Sequence, residues 1–63
     1  NETLFFKLIE DAFKMKRKTL KNNLKAYDWN KIKEVLNKKN LPEDIRAENL
    51  SLENFAAIAN HLS

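Results

Sequence analysis

Sixty-three residues make one domain at most, and a chain this short buries only about 60% of the surface its unfolded form exposes. The absence of cysteine rules out disulfides and thiolate metal sites, and the absence of glycine argues against a P-loop, a dinucleotide-binding fingerprint, an EF-hand loop and a nucleophile elbow. Twelve basic and nine acidic residues give a net charge of +3, and a hydrophobic content of 43% suffices for a packed globule and is too high for plain disorder.

The spacing predicts a helix over about residues 3–15. Phe5, Ile9, Ala12 and Phe13 recur at helical intervals, with Leu8, Ala12 and Met15 on the neighbouring stripe. So wide an apolar face predicts a central, largely buried helix, with Thr3 as its N-cap. Over about 17–26 the helix continues or restarts: Leu20, Leu24 and Tyr27 share a face, and Thr19 is placed to cap a restart. A third helix is expected over about 29–38, capped by Asp28, with Trp29, Ile32, Val35 and Leu36 inward and Asn40 in a left-handed cap behind it. Leu41-Pro42-Glu43-Asp44-Ile45 reads as one proline-initiated turn. In the last helix Ser51 is the N-cap, Leu50 and Phe55 occupy staple positions, and Leu52, Phe55, Ile58, Ala59 and Leu62 form the core face. The fold class is therefore all-α: a small bundle of three to four helices with one extra turn, residues 1–63 forming a single domain.

No apolar run is long enough to span a membrane and no secretory signal is visible. The chain opens at Asn1-Glu2-Thr3 without an initiator methionine, so a mature or excised piece of something longer is expected.

Charge is segregated. From Lys7 to Lys39 eleven basic residues stand against four acids, a balance of +7; from Asn40 onward one arginine stands against four acids, a balance of −3. Six cations, Lys14, Lys16, Arg17, Lys18, Lys21 and Lys25, fall in twelve residues without an acid. Such a field attracts polyanions: nucleic acid, anionic lipid or an acidic protein surface.

Catalytic chemistry finds no constellation here. His61 is two residues from the end, Glu10-Asp11 and Glu43-Asp44 read as solvated or first-turn acids, and no ligand spacing points to a metal. Asn40-Leu41-Pro42-Glu43 imitates the Asn-Leu-Pro-aromatic loop of adenine N6-methyltransferases, but Glu43 offers no ring to stack on a base. A cap followed by a turn is the working reading.

Two segments carry a more specific signal. Ala12-Phe13-Lys14-Met15-Lys16-Arg17-Lys18-Thr19-Leu20-Lys21-Asn22-Asn23-Leu24 resembles the "AF-x-x-RRKTL-x-NNL" run of the KsgA family, the adenine N6,N6-dimethyltransferases of small-subunit ribosomal RNA. Arg46-Ala47-Glu48-Asn49-Leu50-Ser51-Leu52-Glu53-Asn54-Phe55 is similar to that family's "R-A-E-x-L-S-x-E-x-F" segment near its C-terminus. The resemblance covers roughly Phe5 to Leu62 and matches only the small helical domain that follows a catalytic domain. Lys16 stands where arginine is usual, and Asn40 where glycine is common.

The resemblance implies a cytoplasmic parent enzyme that uses S-adenosylmethionine, bound by its catalytic domain, to dimethylate adjacent adenosines near the 3′ end of small-subunit rRNA. It implies that the C-terminal domain is noncatalytic, holds no cofactor or metal, and docks the enzyme on the immature small subunit. Expected partners are that rRNA and the parent's own N-terminal domain, with no membrane and a monomeric state. Lys14, Lys16, Arg17, Lys18, Lys21 and Lys25 are the expected RNA contacts, because phosphates supply most of the affinity. Thr19, Asn22 and Asn23 either donate to phosphate or sugar or serve as local caps. Arg46, Glu48 and Ser51 are expected as structural signature residues, Arg46 and Glu48 tying the proline turn to a neighbouring helix. Tyr27 and Trp29 are candidates for base stacking, with a core role favoured for Trp29. Phe5, Phe13 and Phe55 are expected in the core. The alternative is a protein-interaction module whose basic face packs on an acidic partner or on its own catalytic domain.

Overall fold

The computed structural model describes residues 2–63. Helix α1 spans Glu2–Ala12, α2 is one turn at Leu20–Asn23, α3 spans Trp29–Lys38 and α4 spans Leu52–Leu62. A 3-10 turn at Ala47–Asn49 precedes α4. The all-α class is thus as expected, and no strand occurs among the described residues.

Local chemistry sets most of the ends. Asp28 Oδ1 accepts from the Asn30 backbone N–H at 3.1 Å and starts α3. Ser51 Oγ accepts from the Asn54 N–H at 3.1 Å and starts α4. These are donors that a first helical turn otherwise leaves unpaired. α3 closes in a Schellman arrangement: the Leu41 N–H donates to Leu36 O at 2.8 Å and the Asn40 N–H to Asn37 O at 3.2 Å. That geometry needs a left-handed residue, and Asn40 has φ 58°. Leu41, carried back by the turn, packs against the core. The Pro42 carbonyl then accepts from the Ile45 N–H at 3.3 Å, which gives the proline-initiated turn. The Asn-Leu-Pro sequence is thereby consumed as helix cap and turn.

α1 departs from expectation at both ends. It begins at Glu2, so Thr3 lies within its first turn and is not its cap. It stops at Ala12 rather than near residue 15, and residues 13–18 form bends and turns. A helix continued through this run would set Lys14 beside Arg17 and Lys18, and both beside Lys21, at three- and four-residue spacing. Like charges at that spacing destabilise a helix. The second helix is therefore a restart at Leu20, capped by Thr19.

The core is apolar throughout. Leu8, Leu20, Leu24, Ile32, Leu36 and Ile58 are fully buried, joined by Ala12, Val35, Ile45, Ala47, Phe55 and Ala59. No polar or charged side chain is buried among the described residues. α4 packs against both α3 and α1, and α1 also packs on α2. The central position therefore belongs to α4, not to α1: Ala57 and Ala59 let partner helices approach, whereas α1 turns Phe6, Lys7 and Glu10 outward. On α1 the buried stripe is Leu8 and Ala12. Phe5 and Ile9 are only partly buried, and Phe13 leaves the core expected for it.

Two polar contacts pin the periphery. His61 Nε2 lies 2.9 Å from Glu34 Oε2, joining α4 to α3, so the histidine is not a frayed terminal group. The Tyr27 hydroxyl donates to Asp11 Oδ2 at 2.6 Å, joining the turn before α3 to the end of α1. Burial, then the hydrogen bond to the Asp11 carboxylate and its charge, push the tyrosine up to about 12 from 10.0.

Two outcomes follow. The folded chain keeps the Tyr27 proton to a higher pH than the unfolded chain does. The stability tied to it is complete below about pH 10 and fades as pH rises to about 12. Tyr27→Phe should flatten that alkaline arm in denaturation midpoints measured against pH, relative to the parent sequence. At Asn40, glycine should hold or raise the midpoint, while Asn40→Val should cost about 1–2 kcal/mol because a branched side chain resists positive φ.

Candidate functional site

The bend after α1 is held by one side chain. The Asn23 carboxamide nitrogen donates to Ala12 O at 2.8 Å and to Met15 O at 3.0 Å. An amide nitrogen has two hydrogens, and both are used. Ala12 O is one of the carbonyls a helix end leaves unpaired, so Asn23 closes α1 and fixes the next loop in one contact. Within that loop the Lys18 N–H donates to Met15 O at 3.1 Å. Thr19 Oγ1 accepts from the Asn22 side-chain nitrogen at 3.1 Å, with the Asn22 backbone N–H at 3.5 Å. All three polar residues considered for RNA contact thus have local partners.

The second half of the site comes from the segment before α4. The Leu20 N–H donates to Ile45 O at 2.9 Å and binds this segment to the start of α2. Ile45 and Ala47 are buried, and Arg46 between them has extended backbone (φ −102°, ψ 153°). Alternation along an extended chain turns the Arg46 side chain outward. Its carbonyl accepts from the Asn49 N–H at 2.9 Å, and that turn places Glu48 next to it.

Between the two segments lies a groove of about 260 Å³. Ala12, Phe13 and Met15 form one side with Lys16 and Lys18, and Arg46, Ala47 and Glu48 form the other. Phe13 is 45% exposed and Met15 55% exposed. Phe13 is steadied from behind by Phe55, with ring centroids 6.1 Å apart and planes tilted by 41°. The groove is therefore lined by apolar side chains together with three cations and one carboxylate.

Of the expected RNA contacts, the fold brings Lys16 and Lys18 to this groove. Lys14, Arg17, Lys21 and Lys25 are exposed and do not line it. Arg46 joins the two lysines although it is twenty-eight positions beyond Lys18. It and Glu48 make no ion pair or side-chain hydrogen bond among the described residues, so the expected tie to a neighbouring helix is absent. Ser51 is the N-cap of α4, as expected of a structural residue. Tyr27 is engaged with Asp11, and Trp29 packs partly buried on the core. Phe13 and Met15 are the members that periodicity assigned to a helix interior. The signal that places them outside is the cationic run that ends the helix early. Among the described residues no three acids or histidines gather to hold a metal, and no helix is long and apolar enough to cross a membrane.

Curated RNA-modifying enzymes are similar to this chain over nearly all of its length. The whole chain aligns at 44% identity with 24% of the ribosomal RNA small subunit methyltransferase A of Syntrophus aciditrophicus. The Fusobacterium nucleatum protein of the same name is 47% identical over 87% of the chain and 22% of its own length. That of Alkaliphilus oremlandii is 41% identical over 98% of the chain and 23% of its length. The matched stretch is the C-terminal region of these proteins. No family model matches the chain. The chain belongs to the small-subunit rRNA methyltransferase A family, the one its two segments resemble, and spans about a quarter of the length of the curated relatives it matches.

Removing the Asn23 clamp should loosen the loop and little else. Asn23→Ala should cost about 1–2 kcal/mol and speed amide hydrogen exchange over Lys14–Lys18, with α3 and α4 protected as before. Asn23→Asp should be no better, since an ionised carboxylate only accepts and would face two carbonyls. Unchanged exchange at Lys14–Lys18 in Asn23→Ala would place the restraint elsewhere.

Proposed function

We propose that this chain is the noncatalytic C-terminal docking domain of an S-adenosylmethionine-dependent small-subunit rRNA adenine dimethyltransferase. It holds the cytoplasmic parent enzyme on the rRNA of the immature small subunit while a separate N-terminal domain performs methyl transfer. The observation that supports the reading most is the groove: the two family-like segments, far apart in sequence, face each other with Lys16, Lys18 and Arg46 on its edges. Cations held together on a fixed frame neutralise neighbouring phosphates and release their counterions. Arginine also offers a planar fork suited to phosphate.

S-adenosylmethionine and the target adenosines belong, in this reading, to the part of the parent outside this chain. The residues here offer no glycine to bring backbone close to the cofactor, and the Asn40-Leu41-Pro42 run is engaged as helix cap and turn. The chain's own contribution is position and charge. Exposed Phe6 and Leu52, 65% and 69% accessible and outside the groove, favour a second contact with the parent's own N-terminal domain.

The test is an NMR titration of the 63-residue chain with short small-subunit rRNA hairpins at several salt concentrations. Shifts should concentrate at Phe13–Lys18 and Arg46–Glu48 and weaken with salt. Changing Lys16, Lys18 and Arg46 together to glutamine should reduce the slope of log affinity against log salt by about 2–3. A dispersed spectrum without shifts in those segments would instead make the basic face a protein contact.

A further inference from the structure

We propose that the groove receives an unpaired nucleobase bearing an exocyclic amino group, guanine best of all, while its cations hold the flanking phosphates. The inference rests on the docking reading above and adds what kind of RNA feature the site selects.

Phosphate binding alone needs no apolar interior. Yet Phe13 and Met15 stand about half exposed in a groove that Lys16, Lys18 and Arg46 also line. Phe13 is not a loose surface ring. Phe55 supports it at 6.1 Å, and Asn23 fixes the backbone on both sides of it through Ala12 O and Met15 O. A ring held in place and 45% exposed loses little freedom when a flat partner settles on it. Unpaired bases are the flat, apolar surfaces that RNA offers, and aromatic side chains are their usual platform. Met15 supplies a polarisable, adaptable neighbour.

Glu48 gives the groove its selectivity. A carboxylate repels phosphate, so it does not belong to a site built only for backbone. Ionised, it accepts hydrogen bonds and donates none. Among the described residues it has no ion-pair partner, so it is available to a ligand. Guanine presents two parallel N–H groups to such a carboxylate. Cytosine and adenine present an amino group, a pairing also used in base reading by acidic side chains. Uracil presents a single N–H between two carbonyls that the carboxylate repels.

The experiment measures binding of the 63-residue chain to a fully paired RNA duplex and to the same duplex with one bulged G, C, A or U. The bulged-G duplex should bind about tenfold tighter than the paired one, with bulged U close to the paired value. Phe13→Leu, which keeps an apolar side chain beside Phe55 but has no ring face, should remove the bulge advantage. Glu48→Gln should level G against U. Equal binding of paired and bulged duplexes, or a bulge advantage that survives Phe13→Leu, would overturn the base-binding inference while leaving RNA docking in place. Failure of every RNA to bind at low salt would overturn the docking reading itself. The comparison of G with U uses the unaltered chain and stands even if a variant fails to fold.

Discussion

One carboxamide decides how the basic segment is presented. Asn23 donates to Ala12 O and Met15 O, and so ends α1, shapes the bend that follows and ties both to α2. Without that closure the cations from Lys14 to Lys18 would either extend a helix, stacking like charges at helical spacing, or hang as an unrestrained loop. With it they sit on a short arc beside Arg46. The clamp satisfies a helix-end carbonyl and sets a surface at once, which suits a chain too short to keep separate elements for stability and for recognition.

The same economy shows in how charge and apolar area are divided. The core takes only aliphatic and aromatic side chains, so no desolvated charge weakens a small fold. The +7 and −3 portions of the sequence nevertheless meet in space, because the Leu20 N–H binds Ile45 O across them. That contact carries the single arginine of the acidic portion to the cationic bend and brings Glu48 with it. The groove is thus mixed in sign and apolar within, unlike a uniformly basic helix face, and mixed sites discriminate among ligands where uniform fields only attract them.

The contrast between what local sequence reveals and what it hides follows from range. Thr19, Asp28 and Ser51 were legible as caps because capping is settled within three residues. Asn40 was legible because few residues other than glycine accept its backbone angle. The family was legible from two short runs. Three things were not. The cationic run disfavours a longer α1, but the stop at Ala12 is fixed by an amide eleven positions away. The exposure of Phe13 and Met15 follows from that early end, since apolar periodicity continues past the point where the helix does not. The place of Arg46 in the site depends on the Leu20–Ile45 hydrogen bond, so a residue taken for a structural signature proves to face the lysines.

These long-range ties also couple recognition to folding. The groove exists only while the bend, the α2 turn and the segment before α4 stay together, and each of these is short and held by a few hydrogen bonds. A ligand that bridges Lys16 or Lys18 to Arg46 binds the assembled arrangement and not the parted one. It must therefore stabilise the fold by mass action as it binds. Conversely, any loss of order in the bend lowers the population able to bind, and apparent affinity falls by that fraction. In a domain whose core is small, loop order and any affinity of the groove are thus a single equilibrium, and Asn23, which holds the loop without lining the groove, bears on both.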